Sequence, residues 1–351
     1  MIAPISFLAG DLGGTKTLLA IYSWDGQQLN QKHQRRYESA EWSSFEPMLR
    51  DFLGDLPTGM QKPQQGCIAV AGQVRAGDVQ ITNLSWQLNE KKLCEEAGLK
   101  QLELINDFGV LIYGLPHLKP EQQVVLQADQ LDNREHGPLA IVGAGTGLGM
   151  AHGIQTQAGL LACSSEGGHC EFAPRNQKEW QLRQWLKNDL NLQRLSLERI
   201  VSGTGLGHVV HWRLQQDDAQ GHPLCELAEA WRQSPDNIPD LPALASQAAD
   251  AGDPLIQEAE QLWLSAYGSA AGDFALQTLC TGGLWIGGGT AAKQIKGLRS
   301  NTFLEALHNK GRFRPFLEQL PVMALIDPEA GLFSAACRAR MLAGPGSGTL
   351  A

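Results

Sequence analysis

The sequence predicts an α/β protein of two lobes carrying duplicated β-hairpin phosphate loops, and three observations carry that prediction. The chain has 351 residues, more than one hydrophobic core usually organises. At 5–22 a short apolar run enters a glycine-rich turn and leaves it as a second apolar, β-branched run. At 139–152 the same arrangement returns. A repeated strand, Gly/Thr turn and strand implies two lobes built alike, each with a turn able to hold phosphate.

The first turn is Gly10-Asp11-Leu12-Gly13-Gly14-Thr15-Lys16. Gly10, Gly13 and Gly14 admit backbone dihedrals closed to other residues and the close approach of a bulky anion, while Thr15 and the turn N–H groups can donate to phosphate oxygens. Asp11 adds a carboxylate suited to Mg²⁺ or its waters. Two familiar phosphate loops are excluded. A Walker A loop needs Gly before Lys-Ser/Thr and then a helix; here Thr15 holds the Gly place and 17–22 is strand-like. A Rossmann loop needs G-x-G-x-x-G opening a helix. A plain hairpin turn would serve for this loop alone, but the second one, Gly143-Ala144-Gly145-Thr146-Gly147-Leu148-Gly149, argues against coincidence.

Between the loops the pattern is that of an α/β lobe. Residues 27–36 are polar, and 44–56 places Phe45, Met48, Leu49, Phe52 and Leu53 at helical spacing. The apolar stretch 66–72 is a buried strand bounded by glycines, 80–86 is extended, and 88–98 is a helix with Gly98 at its C-cap. A strand over 102–108 ends in Asn106-Asp107, and strand ends are where α/β proteins place ligands. The polar, proline-punctuated 116–138 is a crossing between lobes. The domain limits follow: a small N-terminal α/β lobe over 1–117, joined by a returning helix at about 327–351, and a large lobe over 118–326.

In the second lobe, Ser164-Ser165-Glu166-Gly167-Gly168-His169-Cys170-Glu171 opens a polar loop unlike its apolar flanks. A helix over 179–190 follows, then a segment from Ser196 through Glu198 into a glycine turn at 203–205. Residues 215–250 are acidic and suggest surface helices and loops. Asp253-Pro254 is an N-cap followed by Pro at the first helical position, starting a helix that extends toward Cys280. Residues 281–290 form a strand with glycines at both ends, 329–343 a small-residue helix and 344–351 a tail.

Composition narrows the function. Hydrophobic residues make up 43% and charged residues 19%, as in soluble globular chains, and the net charge of −9 opposes nucleic acid as the main partner. The seven cysteines are scattered, odd in number and without a C-x-x-C pair, which suits reduced thiols in a cytoplasmic protein. No apolar run approaches the roughly 18 residues of a spanning helix, so no membrane is implied.

Taken in order, Gly10 to Lys16, Ile105-Asn106-Asp107-Phe108, Gly143 to Gly149, Glu166-Gly167-Gly168-His169, Glu198-Arg199-Ile200-Val201-Ser202-Gly203 and Gly287-Gly288-Gly289 resemble the bacterial glucokinase family. The resemblance runs from about residue 8 to about residue 343. It implies the two-lobed actin-like, hexokinase-type ATPase fold and transfer of the γ-phosphoryl group of ATP to the 6-hydroxyl of glucose. It implies Asp107 as catalytic base, and Asn106, Glu166, His169 and Glu198 as ligands of glucose hydroxyls. Gly10, Asp11, Gly13, Gly14 and Thr15 match one phosphate loop; Gly143, Gly145, Thr146 and Gly147 match the other. Gly287 and Gly288 match the adenosine-side turn, and Asp11 would hold Mg²⁺ through water. The implied partners are glucose and ATP, and the reading admits a homodimer.

These residue types suit that chemistry. Phosphoryl transfer needs an alcohol held in line, its proton accepted, and the phosphate charge neutralised. A sugar ring presents several hydroxyls that each donate and accept, which an amide, an imidazole and two carboxylates can recognise together. Alone, His169 would read as a structural histidine and Glu198 as a helix-start carboxylate. Lys16, where many members of the family have Asn, reads as a solvated strand-end charge, and Gly72-Gln73-Val74 replaces a more usual Pro-containing turn.

Two rival readings remain. A kinase of the ROK type acting on another hexose or an amino sugar would be expected to carry a cysteine-rich zinc motif after the Glu/His loop, and Cys163 and Cys170 form none. A non-catalytic sugar-sensing regulator would need a DNA-binding module, and the few residues before Leu8 are too short for a helix-turn-helix.

Overall fold

β1 (Ile5–Leu12) and β2 (Lys16–Trp24) pair antiparallel from Ile5 opposite Trp24 to Leu12 opposite Thr17, which makes the first glycine loop a hairpin tip. The hairpin belongs to the first of two compact units in the computed structural model, which describes residues 5–127, 137–233 and 240–344. The first unit comprises Met1–Lys119, Gly153–Ser164 and Asp327–Ala351; the second comprises Pro120–His152 and Ser165–Ile326.

In the first unit the hairpin is followed by β3 (Leu29–Glu38), α1 (Phe45–Gly54), β4 (Gln65–Val70), β5 (Asp78–Gln80), β6 (Gln87–Asn89), α2 (Glu90–Ala97), β7 (Gln101–Asn106) and α3 (Asp107–Gly114). The main sheet has the order β3-β2-β1-β4-β7, with β1, β4 and β7 mutually parallel. Successive side chains of a strand point to opposite faces. Leu8, Leu19, Ile21, Ile68 and Val70 pack beneath Phe45, Met48, Leu49 and Phe52 of α1 and Leu93 of α2. Phe7, Ala9, Leu18, Ala20, Cys67 and Ala69 pack beneath Val110 and Tyr113 of α3 and beneath the final helix, Ala330–Leu342. Burial on both faces is why 66–72 reads as a continuous apolar run.

Two expectations for this unit need correction, and a polar segment without an assigned element forms a strand. Residues 29–36 of the polar run belong to β3: an edge strand pairs through backbone groups, so polar side chains facing water do not prevent it. Residues 80–86 are not one extended segment. Ile81 N–H donates to Trp86 O at 3.0 Å across a turn with Asn83 at φ 67°, which joins β5 to β6. The strand expected over 102–108 stops at Asn106, because the Asn106 side chain caps α3. Gly98 takes the expected left-handed C-cap of α2 at φ 64°.

The second unit contains β8 (Gln123–Gln127) and β9 (Leu139–Ala144), followed by the hairpin β10 (Leu148–Thr156) and β11 (Gly159–Ser165), whose outer residues Gly153–Ser164 group with the first unit. Then come α4 (Gln177–Asp189), α5 (Gly203–Leu214), α6 (Cys225–Gln233), α7 (Leu241–Asp250), α8 (Pro254–Thr278), β12 (Gly283–Gly287), α9 (Ile295–Leu298), α10 (Asn301–His308), α11 (Arg314–Gln319) and β13 (Val322–Leu325). The final helix of the chain is α12 (Ala330–Leu342). The sheet order is β11-β10-β9-β12-β13-β8, with β9, β12 and β13 parallel and β8 antiparallel at the edge.

The crossing expected over 116–138 therefore contains a strand, β8; its residues 128–136 lie outside the described residues. The glycine turn expected at 203–205 is the start of a helix, because Ser202 accepts from Gly205 N–H at 2.8 Å and supplies the N-cap. Residues 215–250 are less superficial than their composition suggests: Trp231, Leu241, Ala245 and Ala249 are buried in the second core. Asp253 caps α8 through Leu255 N–H and Ile256 N–H, each at 3.1 Å, with Pro254 first in the helix as expected. Among the described residues no helix is long and apolar enough to cross a membrane.

Candidate active site

The first unit presents the loop between β1 and β2. Gly13 N–H donates to Lys16 O at 3.0 Å and closes the turn. The conformational reason expected for its glycines does not hold, since none of Gly10, Gly13 and Gly14 lies at positive φ. Space is the constraint instead: a Cβ at Gly10 would stand 2.6 Å from Ile68 Cδ1, and one at Gly14 would stand 3.3 Å from Asn83 Cβ. Thr15 is exposed at the tip.

Ser39, which the sequence did not single out, ties this loop down from the end of β3. Its N–H donates to Thr15 O at 2.9 Å, its hydroxyl donates to Gly13 O at 2.9 Å, and Thr17 Oγ1 lies 3.0 Å from its Oγ. Two loop carbonyls that would repel an anion are thereby engaged. Ser39 is fully buried, and only the register that sets Lys16 opposite Glu38 brings it to the loop.

Asp11 lies near the end of β1, where a Cβ on Gly331 of α12 would stand 3.0 Å from its Oδ2. Burial, and after it the charge of Asp107, pushes the Asp11 carboxyl up to about 6; Lys16 acts in the opposite direction and Glu329 adds to the rise. Among the described residues no group of three or more His, Cys, Asp or Glu side chains is set to hold a metal ion. A Mg²⁺ ion at Asp11 would thus take most of its ligands from water and phosphate, which is its usual habit at phosphoryl-transfer sites. A cation there would offset both the burial and, after it, the Asp107 charge that raise Asp11.

Asp107 is the first residue of α3 and is exposed. Asn106 Oδ1 accepts from Phe108 N–H at 3.0 Å and from Gly109 N–H at 3.1 Å. Its Nδ2 donates to Gly72 O at 3.2 Å and to Asp107 Oδ1 at 3.0 Å. The strand-to-helix junction thus orients the carboxylate from both sides of the amide.

The second unit presents the loop between β9 and β10, closed by Gly145 N–H donating to Gly147 O at 2.9 Å. Two further segments are built onto it. Gly203 N–H at the start of α5 donates to Gly145 O at 2.8 Å, and Thr204 Oγ1 donates to Thr146 O at 3.3 Å. After β12, Thr290 donates to Ala144 O through both N–H at 3.1 Å and Oγ1 at 2.9 Å. Gly288 sits there at φ 82°, where a Cβ would stand 2.4 Å from Ala144 O, so both dihedral and space demand glycine. The buried Tyr267 hydroxyl accepts from Ala144 N–H at 3.1 Å. A glycine loop flanked by a helix N-terminus is a suitable cradle for phosphate.

Beside this loop stand three of the predicted sugar ligands. Glu166 precedes a single 3-10 turn, Gly167–His169, and Glu198 lies in another, Leu197–Arg199. His169 Nδ1 is 3.3 Å from Glu198 Oε1 and its Nε2 is 3.8 Å from Glu166 Oε2, so the imidazole stands between the carboxylates. Leu197 N–H donates to Cys170 O at 2.8 Å, joining the two turns. A Cβ on Gly168 would stand 2.2 Å from Leu148 O, so the first turn packs against β10 only because that residue is glycine. Glu166 and His169 are largely exposed, while the Glu198 side chain is only 22% exposed.

Asn106, Asp107 and Asp11 thus belong to the first unit, and Glu166, His169 and Glu198 stand together in the second. Ser39 and Tyr267 lie outside any glycine motif and were missed; Thr290 and the N-terminus of α5 lie beside or within one, but their contact with the second loop joins segments far apart in sequence. Ser202, three residues before Gly205, was the one local sign, as an N-cap.

A family model described as Glucokinase matches residues 8–342. The glucokinase of Nostoc punctiforme is 36% identical over 341 residues, which cover 95% of this chain and 99% of that protein. The glucokinase of Synechocystis is 36% identical over 346 residues, covering 95% and 97%. Among solved structures, the glucokinase of an Antarctic psychrotroph superposes with a TM-score of 0.80 at 29% identity, covering 95% of this chain and 98% of that one. The match spans the two glycine loops, the Asn-Asp strand end and the Glu/His cluster, and on it the chain belongs to the glucokinase family.

Proposed function

We infer that this chain is a glucokinase, transferring the γ-phosphoryl group of Mg-ATP to the 6-hydroxyl of glucose to give glucose 6-phosphate and ADP. The observation that carries the reading is the adjacency, in the second unit, of the Glu166, His169 and Glu198 cluster to a glycine loop backed by the N-terminus of α5. Sugar-type and phosphate-type recognition stand side by side there.

The roles follow from the chemistry of each group. Glu166, His169 and Glu198 bind the sugar hydroxyls through charge-assisted hydrogen bonds, and Asn106 joins them by exchanging one of the two bonds its Nδ2 makes to Gly72 O and Asp107 Oδ1 for one to the sugar. The backbone N–H groups of Gly14 and Thr15, and those of Thr146 and Gly147, bind phosphate oxygens, with Gly10 and Gly13 shaping the first loop and Gly143, Gly145, Gly287 and Gly288 the second. Asp107 takes the proton of the 6-hydroxyl as its oxygen forms the new bond to phosphorus and the bond to the β-γ bridging oxygen breaks. Asp11 holds Mg²⁺ through water, and the ion, when bound, neutralises charge on the transferring group. The scattered, odd set of cysteines suits a reducing cytoplasm.

The test is ADP formation coupled to a panel of hexoses at saturating Mg-ATP. Glucose-dependent turnover, well above that with its epimers, is expected, because a changed hydroxyl leaves a polar group of the site unpaired. Folded protein that forms no ADP with glucose would refute the reading.

A further inference from the structure

The phosphate loop and the sugar-side cluster of the second unit meet at one point. A Cβ on Gly147 would stand 2.8 Å from Glu198 Oε2 and 3.9 Å from Glu198 Cδ. The other oxygen of that carboxylate, Oε1, lies 3.3 Å from His169 Nδ1. Gly147 is not at positive φ, so its backbone conformation is open to alanine. Gly145, two residues earlier in the loop, has nothing within 4 Å of the place a Cβ would take. The two glycines are therefore empty for different reasons, one toward open space and one toward Glu198.

We propose that Gly147 is a specificity-determining residue for the sugar: its missing side chain is the room in which the Glu198 carboxylate is held against His169. The proposal rests on the reading of Glu198 and His169 as sugar ligands. Glu198 is held from behind, its carbonyl accepting from Ser202 Oγ at 2.7 Å within the 3-10 turn. Its backbone therefore stays in place and the flexible end of the side chain is what yields. A methyl at 147 turns the carboxylate away from His169 and leaves the loop and the fold as they are. Losing one charge-assisted hydrogen bond to a sugar hydroxyl weakens binding by about 10-fold to 100-fold.

Glucose binding is measured calorimetrically without nucleotide, and KM for ATP in the coupled assay, for Gly147→Ala, Gly145→Ala, Glu198→Asp, the Gly147→Ala/Glu198→Asp pair and His169→Ala. Gly147→Ala should keep the parental melting temperature and lose glucose affinity by that factor. Gly145→Ala should raise KM for ATP and bind glucose as the parent does. In the shorter Glu198→Asp background, adding Gly147→Ala should cost less than about twofold, since the methyl no longer meets the carboxylate. Parental glucose affinity in Gly147→Ala, an additive double variant, or a Gly147→Ala chain that fails to fold would each overturn the proposal. If His169→Ala and Glu198→Asp also bind glucose normally, the failure lies in the assignment of the sugar ligands; if they lose it while Gly147→Ala does not, the role of Gly147 alone fails.

Discussion

The Asn106 amide donates to Asp107 Oδ1 at 3.0 Å while its own Oδ1 accepts from Phe108 N–H and Gly109 N–H. One residue therefore both starts α3 and aims the carboxylate that follows it. If that carboxylate is the general base, Asp107→Ala should lower kcat by roughly 10²-fold to 10⁴-fold with a smaller change in glucose affinity. A folded Asp107→Ala enzyme with kcat within about threefold of the parent would move the base elsewhere.

Asn106→Ala should act on two levels. Loss of the N-cap destabilises α3 by about 1 kcal/mol, read as a lower denaturant midpoint at unchanged slope. Turnover should fall as well, because Asp107 Oδ1 loses its amide partner.

The imidazole of His169 stands between Glu166 and Glu198 at the surface of the second unit. His169→Ala and Glu166→Ala should raise the glucose KM by about tenfold or more, with melting temperature unchanged, because exposed groups contribute little to folding. A kcat effect at saturating glucose as large as that of Asp107→Ala would show the roles to be wrongly divided.

Asp11 gives a pH signature. Its carboxyl is raised from 3.8 to about 6, chiefly by burial and then by Asp107, so its contribution to stability is full below about pH 4 and is lost as pH rises through about 6. Asp11→Asn removes that dependence. The variant should melt above the parent at pH 7.5, and the difference should shrink toward zero near pH 4. Thermal melts across that range check it, and a difference that grows on acidification would reverse the sign. Mg-nucleotide should narrow the gap at pH 7.5, by stabilising the parent more than the variant.

Ser39→Ala leaves Gly13 O without its hydroxyl donor and Thr17 Oγ1 without its neighbour. A buried group left unpaired costs about 1–3 kcal/mol. The same substitution frees the Gly13 carbonyl, while the backbone N–H at 39 still holds Thr15 O, so KM for ATP should rise while glucose binding without nucleotide is unaffected. Unchanged ATP kinetics would limit Ser39 to a structural role.

The second-unit helix that follows Ser202 shows where local reading stops. Gly203 and Gly205 suggest a turn by composition, yet a Cβ at Gly205 would stand 2.1 Å from Ile200 O, and one at the nearby Gly207 would stand 2.5 Å from the Trp231 ring. Those glycines serve packing, and their close neighbours include Trp231, 24 residues downstream. β3 and β8 were hidden in a related way. Each is an edge strand whose partners, β2 and β13, supply backbone hydrogen bonds that no hydrophobic pattern records.

The glycine loops, the Asn-Asp strand end, the Asp253-Pro254 helix start and the Gly98 cap were determined by the sequence alone, because each is a property of a few consecutive residues: a backbone shape, a cap, or a spacing of apolar side chains. Ser39 at the first loop, Thr290 and Tyr267 at the second, and the empty volume of Gly147 that faces Glu198 were decided only by the tertiary structure. Each joins residues tens of positions apart, and which distant side chain meets a loop depends on sheet register and helix packing, quantities that emerge only when the whole core closes.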